Sequence, residues 1–158
     1  VNTQDSRVSA DQDTADWART HQACYEAEPI IEMRGSQKVQ EGFVLSLYAR
    51  VPMDIPPGEE RRQASAALWE RLRGILDQAL EGQSGDVQVE VDRPRTAAVL
   101  RPENEMHPEI TLRARIRHKE AFQAVTADER QRMSAFEKRI SALGLRSGHW
   151  WAPPQRAP

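Results

Sequence analysis

The chain has 158 residues, 39% of them hydrophobic and 29% charged, with a formal net charge of −2. A chain of that length and composition suits one soluble domain with polar extensions, large enough to bury a core without disulfides or metal. The charge balance excludes a global positive field for nucleic acid or anionic membrane, no apolar run approaches the roughly 20 residues that span a bilayer, and the single cysteine, Cys24, excludes an internal disulfide and a cysteine-rich zinc site.

Residues 1–13, VNTQDSRVSADQD, are polar and unpatterned and are expected to be disordered. A start at Val1 reads either as a trimmed start or as the mature end left after signal removal; the second reading places the protein in the cell envelope or outside the cell rather than in the cytoplasm. Residues 14–27 have helical spacing, with Trp17, His21 and Cys24 on one face, and Glu28-Pro29 should end that helix because a residue before proline avoids the helical region.

From Phe43 the pattern changes period. Phe43, Leu45, Leu47 and Ala49 alternate with Val44, Ser46, Tyr48 and Arg50, which predicts a first strand stopping near Pro52. Pro56-Pro57-Gly58 is a turn, and Glu59 to Leu80 carries Leu68, Leu72, Ile75, Leu76 and Ala79 on one stripe of a helix. DVQVEVD, with Val87, Val89 and Val91 on one side, is a second strand. Residues 93–108 hold three prolines and read as a long loop, with Thr96 to Leu100 as a hairpin arm.

A third strand runs from Glu109 to Lys119, where Ile110, Leu112, Ala114 and Ile116 alternate with Thr111, Arg113, Arg115 and Arg117. Thr126 to Glu129 has capping-box form, and Met133, Phe136, Ile140 and Leu143 follow at helical spacing up to Gly144. LRSGHWW is expected to be a fourth strand, and residues 153–158 a proline-rich tail after a single domain spanning 14–152.

The order strand, helix, strand, strand, helix, strand is the ferredoxin-like split βαβ (βαββαβ) plan of an α+β domain. It implies an antiparallel sheet of order 4-1-3-2 with both helices on one face and the other face open, plus a short N-terminal helix. Arg113, Arg115 and Arg117 then form a line down the middle of the open face, beside Glu90 and Asp92 of the second strand and Ser46, Tyr48 and Arg50 of the first. One reading is cross-strand ion pairing that holds the register. The other is a docking surface for an acidic partner, since planar guanidinium groups suit carboxylate and phosphate.

The open four-stranded sheet resembles RNA-recognition motifs in architecture, but arginines stand on the third strand where those domains stack bases, and Tyr48 is the aromatic residue available on the first. KVQEGF, Lys38 to Phe43, is similar to the anion cradle of acylphosphatases in composition but precedes the first strand, and Glu41 would repel a phosphate.

No phosphate loop, dinucleotide fingerprint, nucleophile elbow or zincin motif occurs. His21 and Cys24, three apart, admit a thiolate–imidazole pair, against which stands the tendency of free cysteine to be buried. His107 lies among acids in ENEMHPE, a solvated loop rather than a metal site. In GHWWAPP, Trp150 and Trp151 point to opposite sides of a strand, so one is a candidate hot spot, while Trp69 belongs at a helix boundary.

The expected function is that of a small non-catalytic protein-binding module, of accessory, inhibitor or immunity type, with Tyr48, Arg50, Arg113, Arg115, Arg117 and Trp150 as partner-binding residues. No cofactor or metal is expected. The expected partner is another protein with an acidic patch, and a homodimer is also open. The alternatives are a single-stranded nucleic-acid-binding domain and a small hydrolase or transferase on the same scaffold.

Overall fold

A computed structural model describes residues 3–52, 54–56, 58–81, 87–92, 109–118 and 136–148. The strands are β1 (Cys24–Arg34), β2 (Gln37–Arg50), β3 (Val87–Val91), β4 (Glu109–His118) and β5 (Arg146–Ser147). The helices are α1 (Thr3–Thr20), α2 (Glu59–Ala79) and α3, which covers 136–142 among the described residues. They form a mixed α+β arrangement around one five-stranded sheet of order β3-β4-β2-β1-β5.

Alternation builds the middle of this sheet. β2 pairs antiparallel with β4, matching Phe43 with Ile116, Leu45 with Ala114, Leu47 with Leu112 and Ala49 with Ile110. All eight side chains are buried on one face. α2 supplies Leu68, Leu72, Ile75, Leu76 and Ala79 to the same core, and α3 supplies Phe136 and Ile140, with the Phe136 ring 4.9 Å from that of Phe43. Trp69 is half-buried at the edge of this core, as its place on the helix flank predicts.

The main departure from the expected plan is β1. Cys24–Arg34 is a strand, paired antiparallel with β2 along its whole length, so Glu28-Pro29 lies inside a strand and does not end a helix. Pro29 is accommodated because β1 has a second neighbour, β5, only at Cys24 and Tyr25 among the described residues. Glu26, Glu28 and Glu32 stand along that same border, where charge discourages pairing with another chain.

The insertion of β1 replaces the expected four-stranded antiparallel order 4-1-3-2 with a five-stranded mixed sheet in which β5 runs parallel to β1. The remaining four strands keep the relative order β3-β4-β2-β5. Of the expected fourth strand, Arg146–Ser147 is described as β5, while Trp150 and Trp151 lie outside the described residues. The loop at 93–108, the capping box at Thr126 to Glu129, Met133 and the 153–158 tail also lie outside them. On β3, which ends the sheet among the described residues, Val87 is buried but Val89 is 38% exposed.

The N-terminal segment also departs from expectation. It is helical from Thr3 and ends at Thr20, not at 27, so residues 3–13 are not disordered. Its own apolar stripe is thin, and polar tertiary contacts anchor it instead. Asp11 accepts two hydrogen bonds from Arg139, at 2.6 and 3.1 Å, and Asp13 accepts one from Arg71 at 2.9 Å. The Thr14 hydroxyl donates to Gln78 Oε1 at 2.9 Å, and the Arg71 guanidinium lies 5.7 Å from the Trp17 ring centroid. At the other end of that contact, Gly144 has φ of 93° and passes so close to α1 that an added Cβ would lie 2.8 Å from Ala15 Cα.

The β2–β4 register has a steric lock. The pairing of β1 with β2 shifts between Ile30 and Ile31, leaving Glu41 as an extra residue, and at the next residue β2 approaches β4 closely. A Cβ on Gly42 would sit 1.9 Å from the Ile116 carbonyl oxygen, a contact that only glycine avoids. Gly42→Ala is therefore expected to destabilise the fold by roughly 3 kcal/mol or more. Gly74, in the middle of α2 with open space around its Cα, should respond oppositely, Gly74→Ala stabilising by about 0.5–1 kcal/mol. Urea denaturation midpoints at constant slope check both.

Candidate protein-docking face

The strict period of β2 and β4 sends every second residue away from the helices. On this open side the pairings give level rows across the sheet. Glu90, Arg115, Val44 and Glu28 form one row, and Arg113, Ser46 and Glu26 the next. Arg117 lies level with Gln88, Gly42 and Ile30, and Thr111 with Tyr48 and Cys24. β4 is an interior strand, and Arg113 and Arg115 are exposed, not covered by a helix. Among the described residues neither guanidinium has a carboxylate within ion-pair distance, so the expectation of register-holding ion pairs does not hold for them.

Arg117 differs. Its Nη1 lies 3.8 Å from Glu41 Oε2, and Glu41 is only 4% exposed. The bulge residue thus takes up the third arginine of the line. Arg50 also stands apart, at the far end of β2, where its Nη1 donates to Gln22 Oε1 at 2.9 Å. There it lines a cleft of about 350 Å3 with Arg19, Gln22, Gly144 and Arg146. Trp150 lies outside the described residues.

Tyr48 is half-buried on the open side, bonded to Glu26 and Ser46. Burial, the hydrogen bond it donates to Glu26 and the negative charge of Glu26 push its hydroxyl up to about 12, the bond from Ser46 opposing them. Cys24 shows the burial expected of a free cysteine and not a thiolate–imidazole pair. His21 follows α1, stacks on Trp17 with ring centroids 4.5 Å apart, and has Nδ1 3.0 Å from the Trp17 carbonyl oxygen, while Cys24 opens β1 and is buried.

Sequence reasoning missed Glu26, Glu28 and Arg146 as members of this face. Reading β1 as helix removed two carboxylates from the sheet and produced an apparent local excess of positive charge. With β1 in place the arginine row has acids on both sides, Glu90 and Asp92 beyond β4 and Glu26 and Glu28 beyond β2. The signal was present: Glu26 and Glu28 alternate with Tyr25 and Ala27, a strand period that Pro29 interrupts.

Among the described residues no cluster of three or more His, Cys, Asp or Glu is placed to hold a metal ion, and no helix is long and apolar enough to cross a membrane. No protein-family model, curated protein or solved structure matches the chain.

The raised pKa of Tyr48 has a defined consequence for stability. The neutral phenol is favoured in the folded chain, so its contribution is intact below pH 10, the ordinary tyrosine value, and is lost as pH rises through the folded value of about 12. Glu26→Gln should lower the folded value toward 10 without reaching it, since burial, the largest cause, remains. Ultraviolet titration of tyrosinate absorbance, with Tyr48→Phe as the assignment control, checks this.

Proposed function

We propose that the chain is a small non-catalytic protein-binding module, of accessory, inhibitor or immunity type, that docks through its open sheet face. The observation that carries the reading is the exposure of Arg113 and Arg115 on an interior strand without ion-pair partners among the described residues. Such groups contribute little to folding, and a protein surface can supply the carboxylates that planar guanidinium groups bind in pairs. The scaffold is read as a ferredoxin-like split βαβ plan with β1 inserted, which the relative order β3-β4-β2-β5 supports.

The rows flanking β4 refine the partner. A purely acidic patch broad enough to cover the face would meet Glu26, Glu28, Glu90 and Asp92 as well as the arginines. The partner surface that fits offers carboxylates opposite β4 and basic groups opposite β1. The same acids weigh against a nucleic-acid strand, whose phosphates repeat one sign along their length.

Substitution of Arg113 and Arg115 by alanine should lower at least tenfold the amount of protein that the immobilised chain captures from a cell extract; Arg117 is left in place because it pairs with the buried Glu41. The melting temperature should move by no more than about 3 °C, as expected for exposed side chains. Lys138→Ala, exposed on α3, serves as the control and should leave capture unchanged. Unchanged capture by the double variant, or a large loss of stability in it, would assign Arg113 and Arg115 to the fold instead.

A further inference from the structure

Across the open face the rows change sign in a fixed order. β3 carries Glu90 and Asp92, β4 carries Arg113 and Arg115, β2 carries Gly42, Val44 and Ser46, β1 carries Glu26 and Glu28, and β5 carries Arg146. Outward from β2 the order is basic then acidic in one direction, and acidic then basic in the other. The charge is antisymmetric about the middle strand.

A surface of that kind is complementary to itself. Consider a second copy laid face to face with the first, related by a half-turn about an axis running along β2. β2 then lies on β2, and β4 of each copy lies on β1 of the other. The registers put Arg115 level with Glu28, through Val44, and Arg113 level with Glu26, through Ser46. Each arginine therefore meets a carboxylate of the second copy at its own level, and the two-fold axis doubles the set. On the outer strands only the sign matches, since the acids of β3 come to face β5, whose Arg146 lies level with Cys24, one row beyond Asp92.

We infer that the partner of the open face is a second copy of this chain, held in that β2-on-β2 arrangement; this rests on the docking-face reading above and names its partner. Over the rows that hold the facing pairs the axis strand is suited to it, because Gly42, Val44 and Ser46 are small and leave room for the longer side chains on either side; Tyr48, in the next row, is bonded to Glu26 and Ser46. Facing sheets lie about 10 Å apart, a gap that an arginine and a glutamate reaching from opposite sides span together. Arg50 is on the axis strand too, but its guanidinium is drawn aside to Gln22. A different protein would need the same stripes in reverse order at the strand spacing of about 4.8 Å, which this chain already carries.

The contact is small. Four strands over seven residues cover roughly 450 Å2 of each copy, against the roughly 800 Å2 per partner of a standard stable interface. The dimer is therefore weak and reversible, and its ion pairs are open to screening by salt.

Sedimentation velocity of the full chain, from roughly 10 μM to 1 mM in low salt, reads this directly. The expected result is a weight-average mass rising from monomer toward dimer, returning toward monomer in about 0.5 M salt. Two charge-reversed variants sharpen it, Arg113→Glu with Arg115→Glu, and Glu26→Arg with Glu28→Arg. Each alone should associate at least tenfold more weakly than the wild type. Mixed in equal amounts they should associate as strongly as the wild type within about threefold, because every facing pair is then again of opposite sign. Folded variants that dimerise alone as the wild type does, or a mixture that stays monomeric, would overturn the inference.

One measurement needs no variant. Dilution of the isotope-labelled wild type should move the amide resonances of Glu26, Glu28, Val44, Ser46, Arg113 and Arg115 and leave those of α2 in place, whereas shifts confined to α2 would contradict the arrangement. A wild type that remains monomeric at 1 mM overturns self-association alone. The docking-face reading then stands or falls with the capture experiment, which immobilises single chains.

Discussion

The close approach of Gly42 to the Ile116 carbonyl fixes how β2 lies against β4, and both faces of the sheet follow from that register. With Phe43 opposite Ile116, four apolar pairs enter the core and Arg113 and Arg115 are left outside. A slip of one residue would exchange the two sets and drive guanidinium groups under α2 and α3, at a cost of several kcal/mol for each buried charge. The core and the candidate site are thus two outcomes of one alignment, and the bulge at Glu41 holds that alignment while taking up Arg117.

Charge does two kinds of work in this chain. On the helical side it is structural: Asp11 and Asp13 tie a polar α1 to Arg139 and Arg71, and the Asp11 contact holds Arg139 above the ordinary arginine range despite its partial burial. On the open side Arg115 has Glu90 as its direct cross-strand neighbour without an ion pair to it, and the carboxylates of β1 lie one strand further away. α1 brings its acids to the guanidinium groups, whereas on the sheet Arg115 and Glu28 are separated by the whole of β2.

Regular periodicity was legible in the sequence, and tertiary anchoring was not. α2 was expected from Glu59 to Leu80 and spans Glu59–Ala79, and the alternation in β4 marked the exposed Arg113 and Arg115 correctly. β1 escaped because the Glu28-Pro29 rule for helix ends competed with a period-two pattern, and proline at a sparsely paired border strand costs little. α1 escaped because the pairing of Asp11 and Asp13 depends on residues 58 to 128 positions away. The arginine line was therefore visible, but the acids that complete the stripes were not, since they sit on the strand that was misread.

Everything proposed for the open face depends on β1 lying beside β2 with Glu26 and Glu28 in the same rows as Arg113 and Arg115. Nuclear Overhauser contacts between backbone protons of facing residues test that most directly. The account predicts contacts linking Glu26 with Ser46 and Ser46 with Arg113, and likewise Glu28 with Val44 and Val44 with Arg115. Consecutive amide–amide contacts through residues 24–29, the signature of a helix, or rows displaced by one residue, would contradict it.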